Sequence, residues 1–397
     1  MESLSITLQI MVVLKKREIE TNVYQSALDR FRYLFDSFDK VVVSFSGGKD
    51  STVCLNLALK IAREKNKLPL DVYFWDEEVI MPETVEYMMR VKNDPDIRLK
   101  WLCIPVKHRN GGSRRDPFWY PFDPKCKDKW VRDIPDFAIT DIKGFKHGHT
   151  IPEVSHLVYD HTHGRIADVR GLRAQESLTR FRAVSHRVKD NWITSARSGY
   201  SYGVSPIYDW TSSDVWLAPK IYNWDYNRVY DVLDKMGVGK NEQRVCVPFG
   251  EEPMRGLWQY KVGWPHLWAL MTERVSGAST SEKYSRTQLY GFGGIKLPKN
   301  KTWKDWFYDN VALYDIEQQK FILSNVRSAV GNHINLARRP VPDTTPDDIT
   351  GLSWKGLCMI ALRGDMKGRR LRTMSSHADP EKKKLIDQMR LKDETRY

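Results

Sequence analysis

Val41-Val42-Val43 runs into Ser44-Phe45-Ser46-Gly47-Gly48-Lys49-Asp50-Ser51, and an apolar, helix-compatible stretch follows from Val53 to Ala62. A β-branched run of this kind reads as a buried strand, the glycine pair as a tight turn, and the continuation as a helix. Adjacent glycines let backbone N–H groups approach an anion closely, and a helix N-terminus adds partial positive charge. The spacing therefore predicts a phosphate or pyrophosphate cradle. It is not the Walker A loop, because Gly48-Lys49 is followed by Asp50 where that pattern needs Ser or Thr. A carboxylate in the first helical turn suits the helix dipole but repels a bare phosphate. Asp50 fits beside a bound Mg²⁺, or as a group that fixes the loop by capping. The competing reading is an ordinary glycine turn between strand and helix.

Around this loop the pattern alternates. Residues 18–38 carry Val23, Ala27, Phe31, Leu34 and Phe35 near helical spacing. Strands are predicted at Lys40–Ser46, Leu70–Trp75 and Leu99–Val106, with helices over 51–65 and from Pro82, at a first helical position, to about Val91. This order predicts an α/β fold with a doubly wound, mostly parallel sheet. Such sheets bind ligands beyond the carboxyl ends of their strands, where the glycine loop lies. From Lys107 to about Arg165 the periodicity dissolves, as in a functional or mobile insertion. A strand at Ile166–Arg170, a helix at Ala174–Ala183, an extended stretch at Tyr202–Tyr208 and a helix at Trp224–Met236 follow. Past about Asn241 the composition shifts: aromatics and glycines dominate Phe249–Phe292, Gly291–Gly294 forms a break, and Asn300–Ala337 reads as helix. The expected organisation is a helical segment 1–39, a nucleotide-binding domain 40–240 with an insertion at 107–165, a mainly helical C-terminal extension 241–362, and a basic tail 363–397.

The net charge of +13 calls for anionic partners without choosing among nucleotide, nucleic acid and protein. Five scattered cysteines with no C-x-x-C indicate neither a zinc ribbon nor a disulfide framework, and fit the reducing cytoplasm. No apolar run reaches the roughly eighteen residues of a membrane span. Leu4–Leu14 is too short and lacks the basic flank of a signal peptide. Met11, ahead of Lys15-Lys16-Arg17, is an alternative translation start.

Two further clusters can carry chemistry. Asp76-Glu77-Glu78, with Pro82-Glu83-Thr84 after it, closes the second strand, where acids bind ribose hydroxyls or Mg²⁺ or simply form a solvated turn. Val169-Arg170-Gly171-Leu172-Arg173-Ala174-Gln175-Glu176-Ser177, with Arg180, places arginines at another strand end. They suit an anion through bidentate hydrogen bonds, or form a surface helix laced with ion pairs. His147, His149, His156, His161 and His163 crowd one stretch without the carboxylate or cysteine spacing of a recognisable metal site. The basic tail and insertion, with Trp119 and Tyr120, admit a nucleic-acid contact, though no DNA- or RNA-binding signature accompanies them.

In order, S-G-G-K-D-S, D-E-E-x-x-x-P-E-T, G-L-R-A-Q-E-S-x-x-R and the segment Pro206-Ile207-Tyr208-Asp209-Trp210-Thr211-x-x-Asp214-Val215-Trp216 resemble the phosphoadenosine phosphosulfate (PAPS) reductase family in its broad sense. This family lies within the adenine-nucleotide α-hydrolase superfamily and includes the ATP sulfurylase small subunit. The match covers about Val41–Asp231. The basic opening and residues 254–294 are similar to a bacterial and phage subgroup named for the immunoglobulin-binding regulator A. The resemblance implies a Rossmann-like fold that binds ATP or PAPS with Mg²⁺. It implies nucleotide contacts from Ser44, Ser46, Gly47, Gly48, Asp50, Ser51, Asp76, Gly171, Arg173 and Arg180. Catalysis would involve Lys49, Asp50 and Arg173, and Asp50 would be the Mg²⁺ ligand.

True PAPS reductases carry a C-terminal cysteine motif, and residues 363–397 contain no cysteine. A thiol-dependent reductase is therefore disfavoured. Cys358, in L-C-M-I, is expected in the core, and Cys246, in R-V-C-V-P-F, is expected as a core or structural residue. Two readings follow. One is an adenylyltransferase or ATP pyrophosphatase in sulfur or nucleotide metabolism, with or without a protein partner subunit of the kind the sulfurylase small subunit needs. The other is a nucleotide-binding regulator that engages nucleic acid or a protein.

Overall fold

Val41, Val42 and Val43 are buried because β1 (Lys40–Ser44) is the central strand of a parallel sheet covered on both faces. This is seen in a computed structural model of the protein that describes residues 20–113, 115–159, 162, 164–185, 191–194, 198–250, 253–284, 297–363, 371 and 374. Ahead of β1, α1 (Val23–Ser37) starts at Asn22, whose side chain accepts the Gln25 N–H. After β1 come α2 (Lys49–Glu64), β2 (Leu70–Trp75), α3 (Pro82–Lys92) and β3 (Ile97–Leu102). β3 stops short of the expected Val106 because Leu102 begins pairing with Ile139 and the Cys103 N–H donates to the Ile139 carbonyl.

The chain forms two compact units, Met1–Val106 with Pro121–Cys246, and Lys107–Tyr120 with Val247–Tyr397. The short antiparallel ribbon of β4 (His108–Arg109) and β5 (Phe118–Trp119) belongs to the second unit. The first unit resumes with α4 (Ile151–Val154), β6 (Ile166–Val169), α5 (Leu178–Ser185), β7 (Ser201–Val204), α6 (Ser212–Ile221) and α7 (Val229–Lys235). Its sheet runs β3-β2-β1-β6-β7, all parallel, so the strand order reverses between β1 and β6. One face packs against α1, α2, α3 and α6 through Phe31, Leu57, Tyr87 and Val215. The other is covered by residues 139–159, including Val154 and Tyr159. The expected parallel α/β architecture is present.

The second unit continues through α8 (Leu257–Gly263), α9 (Pro265–Arg274), α10 (Ala278–Tyr284), α11 (Trp303–Val311), α12 (Ile316–Ala337) and α13 (Trp354–Arg363). The single helix expected over Asn300–Ala337 is two, because Asp315 caps α12 by accepting the Gln318 N–H. Phe307, Val326, Leu357 and Cys358 form its core. Cys358 is buried as expected, and burial pushes its thiol up to about 12. Among the described residues no helix is long and apolar enough to cross a membrane. The basic tail and the Gly291–Gly294 break lie almost wholly outside the described residues.

Candidate nucleotide-binding site

The reversal of strand order opens a crevice beyond the carboxyl ends of β1 and β6, the general ligand position of open α/β sheets. The loop from Phe45 to Gly48 enters it from β1. Gly47 has φ +70°, in the region that favours glycine. The loop braces itself with short polar groups. The Ser46 N–H donates to Ser51 Oγ (3.3 Å), the two serine hydroxyls lie 3.1 Å apart, and the Gly48 N–H donates to Ser46 Oγ (3.3 Å). Ser51 Oγ donates to the Gly48 carbonyl (3.0 Å). At the start of α2 the Lys49 N–H donates to Tyr230 Oη (2.9 Å). The next two amides of that first turn, Asp50 and Ser51, have no acceptor among the described residues. First-turn amides are the donors a helix leaves over for an anion.

Gly171 closes the crevice from the β6 side. A methyl group placed on it would lie 2.8 Å from Asp50 C and 2.8 Å from Ser51 N. The two motifs thus meet backbone to backbone, and only glycine permits it. Two residues on, Arg173 Nε lies 2.5 Å from Asp50 Oδ1, with the arginine side chain 4% exposed and the aspartate 20%. The Lys49 ammonium lies 3.4 Å from Asp50 Oδ2 and donates to the Gln243 carbonyl (3.5 Å), between the rings of Trp216 and Tyr230. Asp50 therefore stands between two cations. Its carboxylate balances Lys49 and Arg173, an arrangement that differs from an open metal ligand. Among the described residues no group of three His, Cys, Asp or Glu could hold a metal ion, and His161 and His163 lie outside them.

Other expected site residues stand further back. Ser44 ends β1, in register with Tyr73 of β2. Arg180 is half-buried on α5 and pairs with Glu176 one turn earlier. Arg170 turns to the buried Asp168 (2.9 and 2.5 Å). Asp76 closes β2, and its carboxylate is fully buried. It accepts from Trp101 Nε1 (2.7 Å), the Glu78 N–H (3.0 Å), Cys103 Sγ (3.6 Å) and Arg132. Glu78, also buried, accepts the Phe122 and Val131 amides (2.6 and 3.1 Å). These two acids fasten residues 122–132 over the strand ends, so the solvated turn is not what forms there.

Three residues of this neighbourhood were not singled out by motif. Asn227 donates to the Gly47 carbonyl (3.0 Å) and to Thr84 Oγ1 (2.9 Å). Tyr230 holds the Lys49 N–H. Val245 lies 3.2 Å from the methyl position of Gly48. The neighbouring Cys246 is exposed, which corrects the expectation of a core thiol. Only the Asn-x-x-Tyr spacing at the start of α7 could have drawn notice, and nothing in it points to the loop.

The profile of the phosphoadenosine phosphosulfate reductase domain matches residues 40–122. That of a domain of unknown function, DUF3440, matches residues 237–329. The chain is 30% identical to the uncharacterized protein YbdN of Escherichia coli, over 88% of this chain and 90% of that protein. It is 22% identical to the adenosine 5'-phosphosulfate reductase of Staphylococcus epidermidis, over 52% of this chain and 72% of that enzyme. Among solved structures, the phosphate complex of phosphoadenylyl-sulfate reductase from Candida auris aligns with 58% of this chain and 94% of that chain, at 16% identity and a TM-score of 0.30.

Proposed function

The chain belongs to the phosphoadenosine phosphosulfate reductase family in its broad sense, and on that premise we propose that it is an ATP-splitting adenylyltransferase. An adenine nucleotide binds across the β1–β6 crevice with its phosphates on the glycine loop. An acceptor oxyanion attacks the α-phosphorus, the bond from that phosphorus to the bridging oxygen breaks, and pyrophosphate leaves. No protein nucleophile is needed. The task of the protein is to hold the reactants in line and stabilise the charge that builds on the oxygens.

The observation that carries this reading is the contact of Gly171 with the Asp50–Ser51 backbone. It brings the loop amides and the Arg173 guanidinium to one mouth. The Asp50 and Ser51 amides and the helix dipole would receive the departing pyrophosphate. Arg173 and Lys49 would neutralise the α-phosphoryl oxygens, and Asp50 would hold both cations in place. Mg²⁺ enters as the counter-ion of the nucleotide's own phosphates and supplies charge neutralisation there.

The test is pyrophosphate release from ATP·Mg²⁺ by the purified full chain, alone and with sulfate, nucleic acid or cell extract. Release is expected from the wild type and lost in Asp50→Asn and Arg173→Lys, with circular dichroism unchanged. Release that persists in both variants overturns the site. ATP binding without release under any condition overturns the catalytic reading and leaves a nucleotide-binding regulator.

A further inference from the structure

We propose that Tyr230 is a direct contact of the bound anion, its hydroxyl donating to a phosphoryl oxygen of the nucleotide. The proposal rests on the reading above, that the glycine loop holds phosphate. A phenol hydroxyl can accept and donate at once. Tyr230 Oη accepts the Lys49 N–H at 2.9 Å, so its oxygen is fixed at the first turn of α2. It lies 3.6 Å from the methyl position of Gly48, over the loop itself. Its own hydrogen has no acceptor among the described residues, although the residue is only 3% exposed. A buried donor is rarely left in that condition.

The surroundings specify what the missing acceptor is. The Asp50 and Ser51 amides and the positive end of α2 belong to the same helical turn as the Lys49 amide that Tyr230 Oη accepts. A negatively charged oxygen satisfies them all, and hydrogen bonds to charged acceptors are the strong ones. Burial pushes the Tyr230 hydroxyl well above its ordinary pKa, so it carries its proton at neutral pH. The position is rigid as well. The ring meets Trp216 edge to face at 4.9 Å, and Asn227 in the preceding turn grips the Gly47 carbonyl. The chain entering α7 thus holds the loop at two points, Asn227 as donor and Tyr230 as acceptor, and keeps the Tyr230 hydroxyl proton to donate.

Tyr230→Phe removes the hydroxyl and keeps the ring. The experiment measures the affinity of full-length wild type and variant for ATP·Mg²⁺ and for inorganic pyrophosphate by calorimetry, with thermal midpoints of both. Both affinities are expected to fall roughly 10–100-fold, the range of a charge-assisted hydrogen bond. In parallel, the full chain carrying 3-fluorotyrosine at position 230 should show a fluorine shift on adding pyrophosphate but not chloride at equal ionic strength. This arm stands even where the variant does not fold. A wild type that binds neither ligand overturns the loop reading and this proposal with it. A wild type that binds, beside a folded variant of equal or higher affinity or a fluorine signal that does not move, overturns this proposal alone.

Discussion

Asp50 and Asp76 stand at the ends of neighbouring strands of one sheet, and the chain uses them differently. Asp50 follows β1, stays partly exposed and balances two cations, Lys49 and Arg173. Asp76 follows β2 and is sealed among four donors: an indole N–H, a thiol, a backbone amide and a guanidinium. On the proposed function, an arriving anion reorganises the first arrangement, with Arg173 and Lys49 turning from carboxylate to phosphate. The second cannot be reorganised so, because no part of the Asp76 carboxylate reaches solvent. An acid at the mouth of an α/β sheet is thus defined by what surrounds it, more than by its position.

Substituting each acid in turn is the strongest way to break that contrast. Asp76→Asn turns an amide N–H₂ toward a cluster of donors and leaves Arg132 without its charge partner. It should cost about 3–5 kcal/mol, as expected for breaking a buried ion pair. Asp50→Asn keeps an acceptor for Arg173 and should cost about 1–2 kcal/mol. Denaturant midpoints measure both. Equal losses would show that the two carboxylates are structural alike.

A smaller effect is expected where the two motifs touch. Gly171→Ala pushes a methyl group into the Asp50–Ser51 backbone. Overpacking of this kind costs up to about 3 kcal/mol, and the displaced amides should lose pyrophosphate affinity in calorimetry. Gly239→Ala, with open space around it, is the control and should change neither. Smaller still is Glu78→Gln, at the lower end of the roughly 1–3 kcal/mol range for a mismatched buried donor, since only one of its two amide partners meets the new N–H₂. Faster hydrogen exchange at Phe122 or Val131, with ATP affinity retained, would sharpen the contrast. Lost affinity would make the fastened segment part of the site.

How much of this was legible in the sequence follows the same divide. The loop, Gly171 and Arg173 were readable because each rests on short spacings: a glycine pair after a β-branched run, and a glycine and arginine at a strand end. The sealing of Asp76 was not, because its partners Trp101, Cys103 and Arg132 come from distant stretches and D-E-E reads equally as a ligand contact or a solvated turn. Tyr230 and Asn227 were hidden for the same reason, since they reach the loop from about 180 residues away. Asp315 illustrates a local signal overlooked, a helix cap inside an apparently continuous pattern.

Asp347 of the second unit offers the finest test of whether donor satisfaction marks a structural acid. It is 3% exposed and accepts from the Ile349 and Thr350 amides (2.9 Å each) and from Arg339 Nε (2.7 Å). Burial pushes its carboxyl up, but these donors outweigh burial and hold it below the usual aspartate value. A carboxyl lowered in the folded state stabilises the fold above the unfolded pKa of about 3.9. That contribution is lost as pH falls through the lowered folded value. The thermal midpoint of the wild type should therefore exceed that of Asp347→Asn at pH 7, and the gap should close as pH falls below about 4. A gap that persists unchanged to pH 3 would mean that shape rather than charge holds this turn together. Donor count would then be a poor guide to which acids are structural, Asp76 included.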